Sequence, residues 1–134
     1  MINEHNLRRL AVYLRALPEG YEHFDMKRYR SDYEAASAKP LGCGTVACAV
    51  GHAPFALPDC PILPGMTWGG YSSAYLTDER DAWRWCFNYW WVDTDNTAKG
   101  AADRIDWLLN RGLPKDWNEQ MWGHAPLCYR EAVQ

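Results

Sequence analysis

Cys43, Cys48 and His52 fall within one short run, Cys43-Gly44-Thr45-Val46-Ala47-Cys48-Ala49-Val50-Gly51-His52-Ala53, and these residue types bind metals or attack electrophilic carbon. A spacing of four on a helix sets Cys48 and His52 on one face, within reach of one metal ion or of each other. A tetrahedral zinc site would need Cys43 from the preceding loop and a fourth ligand from Cys60 or His124, yet no CxxC knuckle is present and no metal is assigned. A nucleophilic reading puts Cys48 at the third helical position, where the helix dipole lowers a thiol's pKa, with His52 as base. Side chains four apart point outward side by side, however, and nothing in the sequence orients the imidazole, so no catalytic residue is assigned. The plain alternative is that Cys48, Ala49, Val50 and Ala53 are small core residues that let helices approach closely, with His52 a buried, satisfied side chain.

Gly42, Gly44 and Thr45 support a different chemistry. A glycine-lined helix start exposes backbone N–H groups that hold phosphate or carboxylate without a lysine. Eight tryptophans are several times a usual share, and Trp68, Trp83, Trp85, Trp90 and Trp91 lie close together in the chain. Trp68, Tyr71, Trp90 and Trp91 are candidates to stack on a base while the helix start holds its phosphate. The candidate ligand set is therefore Cys43, Gly44, Thr45, Cys48, His52, Trp68, Tyr71, Trp90 and Trp91. Against it stand a plain N-cap with turn glycines, and core packing, which applies to most of the eight indoles.

The elements that must position these residues read as helices. Leu7, Leu10, Ala11, Leu14 and Leu17 repeat at helical spacing after Asn3, and Pro18-Glu19-Gly20 ends the run. A short helix is open over 35–38. Thr45 is the expected cap of the next helix, with Pro54 limiting it to a few turns. The breakers from Pro58 to Gly70 predict a long loop, of a kind that often carries function. Thr77 is the expected cap of a third helix, with Asp78 and Glu79 in its first turn; its apolar stripe is Trp83, Phe87, Trp90 and Trp91, leaving Trp85, Cys86 and Tyr89 off the stripe. Asp93-Thr94-Asp95-Asn96-Thr97 reads as a turn and cap cluster before a helix through Ala98, Ala101, Ala102, Ile105, Leu108 and Leu109, closed by Gly112. The tail with Trp117, Met121, Trp122 and Cys128 is expected to be irregular or one short helix.

Composition bounds the rest. A chain of 134 residues fits one domain, and a net charge of −3 with scattered Lys and Arg gives no basic stripe for duplex nucleic acid. No stretch approaches the ~20 apolar residues of a membrane span. The first residues, Met1-Ile2-Asn3-Glu4-His5, lack a basic-then-apolar leader, and five cysteines is an odd number, so the expectation is a cytoplasmic protein with reduced thiols, a Cys43–Cys48 disulfide being less favoured.

The run from Cys43 to Ala53, preceded by Phe24-Asp25-Met26 and followed by the helix before Gly112, resembles a family of small uncharacterised proteins of bacteria and their phages. These carry a Cys-Gly-Thr-x-x-Cys-x-x-Gly-x-Ala signature, matched here by Cys43, Gly44, Thr45, Cys48, Gly51 and Ala53. The resemblance spans residues 3–113 and leaves the Trp-rich segment 68–91 outside it. It implies a phage or bacterial origin and brings no established activity; sequestration of a host defence nucleotide enters only by analogy.

Together these readings predict a mainly α protein, one compact helical domain over 1–134 with about four helices and long aromatic-rich loops. The expected function is non-enzymatic and cofactor-free: binding of a small anionic ligand of nucleotide type. The alternative is a protein-interaction module or inhibitor of a host protein, using a Trp-rich surface around Trp90-Trp91-Val92-Asp93 that would also serve a homo-oligomer. Third comes a Cys48/His52 enzyme or zinc-stabilised domain. Duplex nucleic acid and membranes are not expected partners.

Overall fold

Two long amphipathic helices form the frame. In the computed structural model, which describes residues 1–21, 24–26 and 48–131, α1 (Glu4–Arg15) buries Leu7, Leu10, Ala11 and Leu14 on one face. Asn3 caps it, its side-chain oxygen accepting from the Asn6 N–H at 3.0 Å. α5 (Ala98–Arg111), along which α1 packs, turns Ala98, Gly100, Ala101, Ala102, Arg104, Ile105 and Leu108 inward. The Thr97 hydroxyl accepts from the Gly100 N–H at 2.9 Å, and Gly112 at φ +81° ends the helix in a conformation that favours glycine. Arg15 locks the pair from outside through Asp103 and Asp106, both at 2.7 Å.

The shorter helices close the core around this pair. α2 (Ala49–Ala56) buries Ala49, Val50, Gly51, His52 and Ala53, apolar nearly all round because it sits between α1 and α3 (Trp68–Tyr75). α4 (Arg80–Phe87) faces inward with Ala82, Trp85, Cys86 and Phe87. A 3-10 turn, Tyr89–Asp93, then leads to α5. Past Gly112 come α6 (Trp117–Met121) and α7 (Cys128–Glu131). They are joined by the buried Gln120, which accepts from the Cys128 N–H at 3.0 Å and donates to Asp116 at 2.7 Å. Ile2 and Thr77 form an isolated antiparallel bridge, reinforced by Asn3 N–H to the Leu76 carbonyl at 2.8 Å. No helix among them is long and apolar enough to cross a membrane.

The mainly helical class is as the sequence predicts, but the division is finer, with seven α-helices among the described residues where about four were expected. The expected cap Thr45 and the 35–38 helix lie outside the described residues; α2 itself starts only at Ala49, after an extended Cys48 that makes no side-chain cap bond. Cys48 is thus the N-cap residue and not the third helical position. The 58–70 loop ends early, because the Thr67 hydroxyl accepts from the Gly70 N–H at 3.0 Å and starts α3 at Trp68. Thr77 accepts from the Glu79 N–H at 3.0 Å and so supports the turn before α4, whose N-cap is Glu79. The stripe Trp83, Phe87, Trp90, Trp91 does not survive: extended Asn88 breaks the helix after Phe87, the 3-10 turn re-aims the two following indoles, and Trp85 and Cys86 take the inward face. The tail holds two short helices in place of one.

Gly100 is where backbone geometry is least forgiving, since a Cβ there would overlap the Asp95 carboxylate. Gly to Ala inside an ordinary helix gains up to about 1 kcal/mol. Gly100→Ala is expected to reverse that sign and cost about 1–3 kcal/mol through overpacking, measured by urea unfolding.

Candidate functional site

Of the nine residues singled out from the sequence, Cys43, Gly44 and Thr45 lie outside the described residues. Cys48 is buried, and burial pushes its thiol up to about 11. That direction is opposite to the one a nucleophile needs. His52 is fully buried among rings: Phe24 stacks on it with centroids 5.8 Å apart, and Tyr13 and Tyr21 tilt against it at 5.8 and 6.1 Å. The Tyr13 hydroxyl lies 3.5 Å from His52 Nδ1. Among the described residues no three His, Cys, Asp or Glu side chains come close enough to hold a metal ion.

The four aromatics expected to stack on a base are not brought together. Trp68 and Tyr71 belong to the α3 core, edge to face at 6.0 Å, and the Tyr71 hydroxyl donates to the Cys60 carbonyl at 3.2 Å. Trp91 is also core, T-shaped against Trp85 at 5.5 Å, with its indole N–H on the Arg84 carbonyl at 3.2 Å. Trp90 alone of the four reaches the surface, where Tyr89 stacks on it and Trp122 tilts against it, each with ring centroids 4.6 Å away.

Beneath this lies an ionic centre. Asp95 and Arg104 are both buried, and Arg104 Nη1 reaches Asp95 Oδ2 at 3.3 Å. The Tyr129 hydroxyl donates to the same oxygen at 2.8 Å, while Oδ1 accepts from Thr97 at 2.7 Å and from Arg130 Nη2 at 2.9 Å. The Arg104 guanidinium lies 4.2 Å over the Trp91 ring, a desolvated cation–π contact. Its carbonyl accepts from the Trp85 indole at 2.9 Å. One carboxylate therefore serves two guanidinium groups. The second of them, Arg130, has a side chain 55% exposed.

Arg130 also lines a cleft of about 470 Å³ between the end of α1 with its following turn and the start of α5. Leu17, Pro18, Tyr21 and Phe24 supply one wall, Asn96 to Gly100 the other. Arg15, Lys99, Glu19 and Asp103 are its remaining charges, and Asp103 is already taken by Arg15 at 2.7 Å and Lys99 at 3.2 Å. Asn96 braces the floor, accepting from the Met26 N–H at 2.7 Å and donating to Asp25 at 3.3 Å. Sequence reasoning took Asp95 for a turn residue and left Arg104 out. The available signal was an arginine inside the apolar face of α5, between Ala101 and Leu108.

Two expectations follow from this geometry. Asp95→Asn keeps the shape but strips the charge from beside buried Arg104, and should cost about 3–5 kcal/mol in denaturant unfolding; a loss below about 1 kcal/mol would remove the centre's organising role. In timed alkylation followed by mass spectrometry, partly exposed Cys128 should react in the native protein, whereas Cys48 and Cys86, with thiols pushed up to about 11 and 12 by burial, should react only on unfolding. Compared with protein-family models, with curated proteins and with solved structures, the chain matches none.

Proposed function

We propose that this is a non-enzymatic binding protein that holds a small anionic ligand of nucleotide type in the cleft between the end of α1 and the start of α5. The observation that carries the reading is Arg130. It lines the cleft, is half exposed, and among the described residues shares its carboxylate partner, Asp95, with a second, buried arginine. Among the lining residues Arg15, Lys99 and Arg130 outnumber Glu19 and Asp103 by one charge, and the N-terminal end of α5 adds to it. A volume of about 470 Å³ suits a small molecule, and Tyr21 and Phe24 offer ring surface for a planar group. The upward shift of the Cys48 and Cys86 thiols favours binding over covalent turnover.

The reading keeps the ligand class expected from sequence and moves its site. Trp68, Tyr71 and Trp91 belong to the core and are not among the residues that line the cleft. A phage-type protein that withholds a nucleotide from its host is a setting this chemistry fits by analogy.

Calorimetric titration with adenosine and guanosine monophosphates, and with pyrophosphate as a base-free anion, tests the proposal. Arg130→Ala should weaken nucleotide affinity by roughly 10- to 100-fold, as expected for a charge-assisted hydrogen bond, with helical content unchanged. Equal affinity in the variant, or no binding of any of these anions to the parent protein, would sink it.

A further inference from the structure

We infer that the exposed ring stack Tyr89, Trp90 and Trp122 is a docking surface for an arginine-bearing segment of a partner protein, separate from the cleft. Tyr89, Trp90 and Trp122 are 48%, 38% and 45% exposed, while Trp68, Trp85 and Trp91 are buried. Two distant pieces of chain converge to build the stack. The Asn88 side chain accepts from the Trp90 N–H at 3.0 Å, and the Thr94 hydroxyl donates to the Met121 carbonyl at 2.6 Å, fastening the 3-10 turn to the end of α6. The platform is thus held in place before a partner arrives, which lowers the ordering cost of binding.

Charge identifies the occupant. Asp93 follows Trp90 by three positions in a 3-10 turn, where such side chains eclipse. Glu119 precedes Trp122 by three at the end of α6, on the same side. Both carboxylates are exposed, and neither has an ion-pair partner among the described residues. His124, whose backbone N–H is bonded to the Glu119 carbonyl at 2.7 Å, is the other ionisable group of this turn. Indole plus carboxylate is the pairing that a planar guanidinium satisfies in one posture, stacking through its face and pairing through its edge. The protein already uses that pairing internally, where Arg104 lies on Trp91 and reaches Asp95. The Arg111 guanidinium also lies over an indole, that of Trp107, at 4.3 Å. At the surface the indoles and carboxylates are present and the arginine is to be supplied.

Area argues for a segment over a second copy of this chain. Three rings at these exposures offer roughly 300 Å², whereas a stable symmetric contact needs about 800 Å² from each side.

The test is binding of the full chain to an array of short random-sequence peptides, with selected ones re-measured by fluorescence polarisation and by indole N–H shifts in NMR. Arginine should be enriched among bound peptides. Replacing it with lysine should weaken binding by about tenfold, as loss of a stacked bidentate contact implies. The Trp90 and Trp122 signals should move while that of Trp85 stays. Asp93→Asn with Glu119→Gln, both exposed and nearly isosteric, should weaken binding to a similar degree and leave nucleotide affinity at the cleft unchanged. No arginine enrichment, indifference to the carboxylate changes, or a dimer that Trp122→Ala dissociates would each overturn the inference. None of these outcomes depends on whether the cleft binds an anion.

Discussion

The Asp95 carboxylate is the constraint around which the rest of the molecule is arranged. A buried charge must be paired and hydrogen-bonded or the fold fails. Asp95 meets that demand with donors from Thr97, Arg104, Tyr129 and Arg130, drawn from the cap of α5, its interior and α7. Each donor then dictates a neighbour. Arg104 needs Trp91 beneath its guanidinium, Gly100 cannot carry a side chain, and Trp85 reads the Arg104 carbonyl. The centre ties α5 to α7 and sets Trp85 and Trp91 against Arg104, while Arg104 Nε has no hydrogen-bond partner among the described residues. A helix as short as α7 has no stability of its own, and its place is set by Tyr129 and Arg130 on Asp95 and by Cys128 on Gln120.

The eight indoles range from buried to exposed, with Trp83, Trp107 and Trp117 between, and the two extremes follow different physics. Trp68, Trp85 and Trp91 fill the interior, with the Trp85 and Trp91 N–H groups placed on backbone carbonyls, as buried indoles require. Trp90 and Trp122 instead spend their area on each other and on solvent. Neighbouring residues in the chain, Trp90 and Trp91, fall on opposite sides of that division because a 3-10 turn rotates successive side chains by about a third of a turn.

α1 and α5 were legible in the sequence because periodicity, cap and stop agreed: Asn3 before Leu7 to Leu14, and Thr97 and Gly112 around Ala98 to Leu108. Local signals failed where a boundary depended on one hydrogen bond. Thr67 outweighed the glycines that follow it, and Asn88 broke a stripe that counting carried from Trp83 to Trp91. The candidate site was less readable still. Asp95 sits among Asp93, Thr94, Asn96 and Thr97, so a capping role hid its true partners, which lie up to 35 residues away. The cleft joins segments near positions 20 and 98, and no spacing rule links those. His52 was readable only as one of two alternatives, and its cage of Tyr13, Tyr21 and Phe24 comes from outside its own helix.

The packing of α1 on α5 also sets an order of events during synthesis. Arg15 and Asp103 are 88 positions apart, and the apolar face of α1 finds its main cover in a helix made near the end of the chain. Until then Leu7, Leu10 and Leu14 emerge from the ribosome with little to lie against. Closing the α1–α5 pair is therefore a long-range step, and the leucine stripe of α1 has its main cover only once α5 has been made. Such a stripe is what chaperones recognise and what drives off-pathway association when they are scarce.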